Sequence, residues 1–290
     1  MKQLFRLTRN RIITLAALMI ALTAYHYWPQ QVAEADKNQD LVPEIVMGEV
    51  VNDVADDADQ RLIDMAENDP IALIEHCLDN VTQYHDYTLT FVKQERIKGK
   101  LRDAQKISVK HRTAPFSVGM VWEENAPKVD RVLYVDGARE NQMLIRPTKE
   151  FHRFLVGEQV LRDPNSKEVM EGTLKPITIF GFKNSLESLL DTYELARDRG
   201  ELVTGFEGVG TFDGREVLIL TRELPEREEY DGHHTTIYID KEYLVPVMVE
   251  ARDWSDEANL VARYVFTNIK FNMDLTEADF VPGAFDMSEP

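Results

Sequence analysis

Two stretches of strict alternation constrain this chain more than anything else in it. Tyr87, Leu89 and Phe91 alternate with Thr88 and Thr90, and Phe116, Val118, Met120 and Trp122 alternate with Ser117 and Gly119. A period of two puts the apolar set on one face of a strand, so both stretches predict half-buried antiparallel strands. Strand-like runs recur at 105–112, 130–136, 142–147, 235–240, 243–251 and 260–271, and Asp213-Gly214 is a strong hairpin turn. Two helices interrupt them. Asn68-Asp69-Pro70 opens one over about 70–85, with Ile71, Ile74, Leu78 and Val81 at helical spacing. The other runs 184–199, capped by Asn184 with Glu187 at the reciprocal position and ended by Gly200. Strands dominate and no β-α alternation is present. The expected class is therefore α+β, a large curved antiparallel sheet with helices packed on one face.

Charge removes one set of functions. The 290 residues carry 51 Asp and Glu against 33 Lys and Arg, a net charge of −18. A protein that grips phosphate backbones needs clustered bases, so no nucleic acid partner is expected. A single cysteine, Cys77, cannot form an internal disulfide or a thiolate metal cluster. It lies on the apolar side of its helix, where a small buried residue is the default.

Chemical motifs read as structural. The glycines 205, 208, 210 and 214 lack the spacing of a nucleotide fingerprint and no helix follows them. His233 and His234 are neighbours on a strand and point to opposite faces, so no metal site is expected. Glu223, Glu226, Glu228 and Glu229 form a solvated acidic loop, and no serine sits in a nucleophile elbow. No catalytic residue, metal or cofactor is expected. An enzyme of an exported lipid or glycan pathway has no residue set to name.

The N-terminus points to export. Lys2, Arg6, Arg9 and Arg11 precede an apolar run from Ile12 to Ala24, and Ala33-Glu34-Ala35 follows. That order is a secretory signal cleaved after Ala35, or an uncleaved inner-membrane anchor formed by residues 12–28. Either way the body of the chain is expected to be exported. Loss of residues 1–35 removes four bases and one acid and takes the net charge to −21, which an anionic lipid surface repels. Residues 36–68 read as an acidic linker containing a short helix around Ala55 to Ala66. Residues 69–290 form the folded domain, ending in a short surface tail from Thr276.

An apolar face on a curved sheet is either filled by the chain's own helices or left in part for an apolar guest. The residues alone leave both open. The runs Phe91-Val92-Lys93-Gln94-Glu95-Arg96, Lys110-His111-Arg112-Thr113-Ala114-Pro115-Phe116 and Leu133-Tyr134-Val135-Asp136-Gly137 resemble the opening of the LolA-like superfamily of periplasmic lipoprotein carriers. The stretches 236–240, 244–247 and 264–272 are similar to its closing strands, and the resemblance covers most of 70–285. The wording Lys-Gln-Glu-Arg, then Pro-Phe-Ser-Val, resembles an uncharacterised exported branch more than the carriers themselves.

The resemblance implies an incomplete β-barrel whose concave face holds lipid acyl chains beneath a helical lid. It implies a cavity lined by Phe91, Phe116, Val118, Met120 and Trp122. Arg112 matches by spacing an arginine that latches the lid, although Thr113 replaces the usual proline and Pro115 is shifted. The lid is expected in Lys167–Phe182 together with the 184–199 helix. The implied function is a non-enzymatic, monomeric carrier or chaperone for lipid or acylated protein. The alternative is a lipid-sensing or interaction module that regulates an inner- or outer-membrane partner.

Overall fold

A computed structural model of the chain describes residues 41–47, 57–148 and 157–289. The apolar run 12–28 and the cleavage signal lie outside these residues. All elements below belong to one unit, Glu44–Pro290. In chain order they are β1 (Ile45–Met47), α1 (Asp57–Asn68), α2 (Pro70–Val81), β2 (Asp86–Ile97), β3 (Lys100–Leu101), β4 (Gln105–Arg112), β5 (Ser117–Glu124), β6 (Val129–Val135) and β7 (Met143–Pro147). There follow β8 (Val160–Arg162), the short α3 (Lys167–Met170), a 3-10 turn at Ile177–Ile179, α4 (Phe182–Asp198), β9 (Val203–Phe212), β10 (Arg215–Glu223), β11 (His234–Asp240), β12 (Pro246–Arg252) and β13 (Leu260–Phe271). Two 3-10 turns, Glu277–Phe280 and Pro282–Phe285, end the described chain.

The thirteen strands form one antiparallel sheet in the order β1-β9-β10-β11-β12-β13-β2-β4-β5-β6-β7-β8, with β3 paired on β2. The pairing of β13 with β2 joins the two halves of the chain. Among the described residues β1 and β8 do not pair with each other, and the barrel is incomplete. This is the α+β, open antiparallel architecture expected from the strand pattern.

Local chemistry explains most boundaries. Asp69 caps α2, its carboxylate accepting from the Ala72 N–H at 3.1 Å, with Pro70 following. α4 begins two residues before the expected start, because the Gly181 carbonyl already accepts from Ser185 N–H at 2.9 Å. Asn184 therefore lies inside the first turn and donates back to the Phe180 carbonyl at 3.1 Å. Asp213 and Gly214 both take positive φ, 51° and 76°, as the two-residue β9–β10 hairpin requires.

Cross-strand register sorts the side chains into two faces. One, here the inner face, carries Tyr87, Leu89 and Phe91 of β2, Ile107, Val109 and His111 of β4, and Val118, Met120 and Trp122 of β5. The helices lie on this side: Phe182 of α4 meets Tyr87 and Phe266 with ring centroids 5.0 and 5.3 Å apart. α2 packs on α4, and its residues Leu73, Ile74 and Cys77 are almost fully buried.

The outer face of β5–β7 has its own cover. Phe280, Phe285 and Met287 bury themselves against Leu133 and Leu144. The residues expected as a surface tail are thus a second packing layer, because β5 presents Gly119 on that side and the ring of Phe285 occupies the space a side chain would fill. Within the stretch expected as a linker, β1 pairs with β9 and α1 buries Leu62 and Ala66.

Candidate functional site

The candidate site is the layer between the inner face and the segment Ile177–Phe182. β2 and β13 supply Phe91 and Phe266, whose rings stack 5.0 Å apart at 7°. Phe180 descends onto this pair, edge-on to Phe91 at 5.4 Å and to Phe266 at 6.4 Å. Further along β2, Tyr87 stacks on His111 of β4 at 4.4 Å. The Tyr87 hydroxyl accepts from Phe182 N–H at 3.2 Å, which ties the start of α4 to the sheet. Gly181 sits between these rings with φ 119° and ψ 161°, a backbone region reserved for glycine. A Cβ there would stand 2.8 Å from Tyr87 Oη and 2.9 Å from His111 Nε2. The cover therefore rests on the sheet through one glycine elbow.

Burial sets the electrostatics here. His111 is 4% exposed and its Nδ1 has no hydrogen-bond partner among the described residues, and desolvation pushes its pKa down to about 3. Burial raises the Tyr87 hydroxyl for the same reason. Both are neutral at ordinary pH. Cys77 is buried and its thiol is pushed up to about 12, so it is no nucleophile.

A polar rim borders the layer. Glu95, 2% exposed, accepts from Tyr264 Oη at 2.8 Å and pairs with Lys93 at 3.3 Å, while Lys93 donates to Thr173 Oγ1 at 3.2 Å. Beside it a cavity of about 280 Å³ opens among Ile97, Lys98, Lys167, Met170, Glu171, Thr173 and Leu174. A second, of about 140 Å³, lies by Phe212, Arg215, Asp240 and Tyr243.

The five residues expected in a cavity share the inner side. Val118 and Met120 are buried by register beside His111 and Val109. Phe116 is half-buried, edge-on to His111 at 5.3 Å and to Tyr134 at 6.0 Å. Trp122 is half-buried and donates from Nε1 to Gln105 Oε1 at 2.8 Å. Phe91 lies under Phe180, as above. None of the five lines either cavity just described.

Arg112 differs from its expected place. Strand alternation turns it to the outer face, where its guanidinium lies 5.0 Å from the Phe280 ring and donates to Ser117 Oγ at 3.4 Å. The β4 residue that faces the cover is His111, one position earlier, because adjacent strand residues point oppositely.

Sequence reasoning also missed Arg222. It follows Leu218 and Leu220 on the inward alternation of β10, a charge in a core position, and that was the available signal.

Residues 84–287 match the family model described as Protein of unknown function (DUF1571). The chain belongs to this family. No curated protein matches it. Among solved structures, one similar to it is titled as the complex of Pseudomonas aeruginosa MucA/MucB, at 15% identity over 74% of this chain and 62% of that chain, TM-score 0.44. Another, titled Mycobacterium tuberculosis lipoprotein LppX, matches at 13% over 72% of this chain and 99% of that one, TM-score 0.41. A LolA superfamily protein, NE2245 from Nitrosomonas europaea, matches at 9% over 73% and 98%, TM-score 0.31. The chain spans less than two thirds of the matched chains of the MucB structures. The fold assignment stands on the strand order given above.

Proposed function

We propose that the chain is a non-enzymatic envelope carrier or chaperone that holds the hydrocarbon chain of a lipid, or of a lipid-modified protein, between the inner face and the Ile177–Phe182 cover. The observation that carries this reading is the cover itself: Phe180 and Phe182 fill the layer over Phe91, Tyr87, His111 and Phe266, and they hang on Gly181. A guest displaces rings already in the molecule and needs no new fold. Burying a chain yields about 0.8 kcal/mol per methylene, and a cover that refills the space lowers the net gain and so permits release. Phe91, Phe116, Val118, Met120 and Trp122 are the proposed contacts. The cavity of about 280 Å³ by Met170 and Leu174 is the proposed entrance, close to the lower size of ordinary ligand pockets at about 300 Å³. The compartment is the periplasm, and the proposed donors and acceptors are membrane partners.

A second reading is an interaction module, and the β1–β9 edge favours it. Val46 and Met47 of β1 are more than half exposed there. Retention of the N-terminal segment by the mature protein would support that reading over a free shuttle.

The test is direct. Organic extraction of the purified protein followed by mass spectrometry, together with uptake of a fluorescent fatty acid, should reveal a bound acyl chain. Repeated absence of both defeats the carrier reading.

A further inference from the structure

Arg222 is a buried cation with no ion-pair partner among the described residues. It is 5% exposed, and of its nitrogens only Nη2 has a described partner, donating to Thr235 Oγ1 at 3.2 Å. Nε and Nη1 have no acceptor among the described residues. The guanidinium lies 5.3 Å from the centroid of Tyr193, a ring of α4, and the hydroxyl of that fully buried tyrosine also lacks a partner. Asp231 is the acid whose field reaches Arg222, but it is mostly exposed and is ion-paired with Lys175. Desolvation accordingly pulls the arginine's pKa downward. A buried, unpaired charge costs several kcal/mol, so the fold carries a deficit of acceptor oxygens at this point.

The register shows what lies beside it. Arg222 pairs with Thr235, Thr235 with Ala251, Ala251 with Ala262, and Ala262 with Glu95. Thr235, Ala251 and Ala262 thus set three small side chains in a row on the inner face beside the guanidinium, with Gly232 of the β10–β11 loop close to Ala251.

We propose that Arg222, with Tyr193 and Thr235, binds the anionic oxygens, phosphate or carboxylate, of an amphiphile whose tail runs along the Thr235–Ala251–Ala262 strip. The inference rests on the carrier reading and specifies the head group. In the closed state the Tyr193 ring stands in for the anion, and displacement of α4 exchanges a cation–π contact for charge-assisted hydrogen bonds.

Titration calorimetry of the full chain with laurate, dodecyl phosphate, dodecanol and inorganic phosphate tests it. The acid and the phosphate monoester should bind at least tenfold more tightly than the alcohol. Arg222→Met should erase that preference while leaving dodecanol binding intact, and Tyr193→Phe, which keeps the ring, should reduce it without unfolding the protein. Inorganic phosphate binding that Arg222→Met abolishes, with no binding of any twelve-carbon ligand, would uphold the anion site and defeat the carrier reading. Equal affinity for acid and alcohol, or a preference that survives both substitutions, would overturn the assignment of Arg222 and leave the carrier reading standing. No binding by any of the four overturns both.

Discussion

Replacing Phe285 by alanine tests whether the outer face of β5–β7 is a true packing surface. The ring is 3% exposed and packs with Phe280, Met287, Leu133 and Leu144. Removing such a ring from a packed cluster costs about 3–5 kcal/mol. Gly119→Ala approaches the same contact from the sheet. Its methyl would overlap the Phe285 ring, and overpacking of this kind costs about 1–3 kcal/mol. Once Phe285 is alanine, the new methyl finds room, and alanine in place of a strand glycine gains about 0.5–1 kcal/mol. The double variant should therefore be more stable than the sum of the single changes, by a coupling of about 2–3 kcal/mol, large for residues in contact. Urea unfolding followed by circular dichroism at pH 7.5 gives the four midpoints. Strict additivity, or a Phe285→Ala loss below about 0.5 kcal/mol, the ordinary effect of an exposed substitution, would show that the C-terminal residues do not dock.

Acidification should destabilise the protein through His111. Its pKa in the fold is lowered to about 3 from 6.5, so the unfolded chain binds the extra proton between these values. The stabilising contribution is whole above pH 6.5 and shrinks as pH falls, by about 2 kcal/mol at pH 5. A His111→Gln variant should lose that part of the slope in urea midpoints measured from pH 7 to pH 5; an unchanged slope would contradict the burial argument. Gly181→Ala forces a side chain into a glycine-only conformation against Tyr87 and His111, with an expected cost of about 1–3 kcal/mol. Hydrogen exchange should then quicken at Phe182 N–H, whose acceptor is the Tyr87 hydroxyl, and unaltered protection there would refute the elbow.

Legibility followed interaction range. Alternation over 87–91 and 116–122 was enough to place Phe91, Val118, Met120 and Trp122 on one side of the sheet, because strand geometry alone turns successive side chains apart. The turn at Asp213-Gly214 and the start of α2 at Asp69-Pro70 were equally local. Arg112 was misplaced because spacing relative to a resembling family fixed a residue number without fixing a face; the register puts His111 toward the cover. The C-terminal turns read as surface because Pro282 and Gly283 dominate their local character, while the partners of Phe280 and Phe285, on β5 through β7, lie more than a hundred residues earlier.

The strand-rich class, the apolar side of each strand, the start of α2 and the β9–β10 turn were legible locally, since each depends on residues a few positions apart, whereas α4 begins before its expected cap. Long-range packing set the rest: β13 joins β2, Phe180 and Phe182 occupy the inner layer, and Arg222 is enclosed with no ion-pair partner among the described residues. Those outcomes depend on pairing between distant segments, where burial is shared by two surfaces and neither one's sequence states what the other will supply.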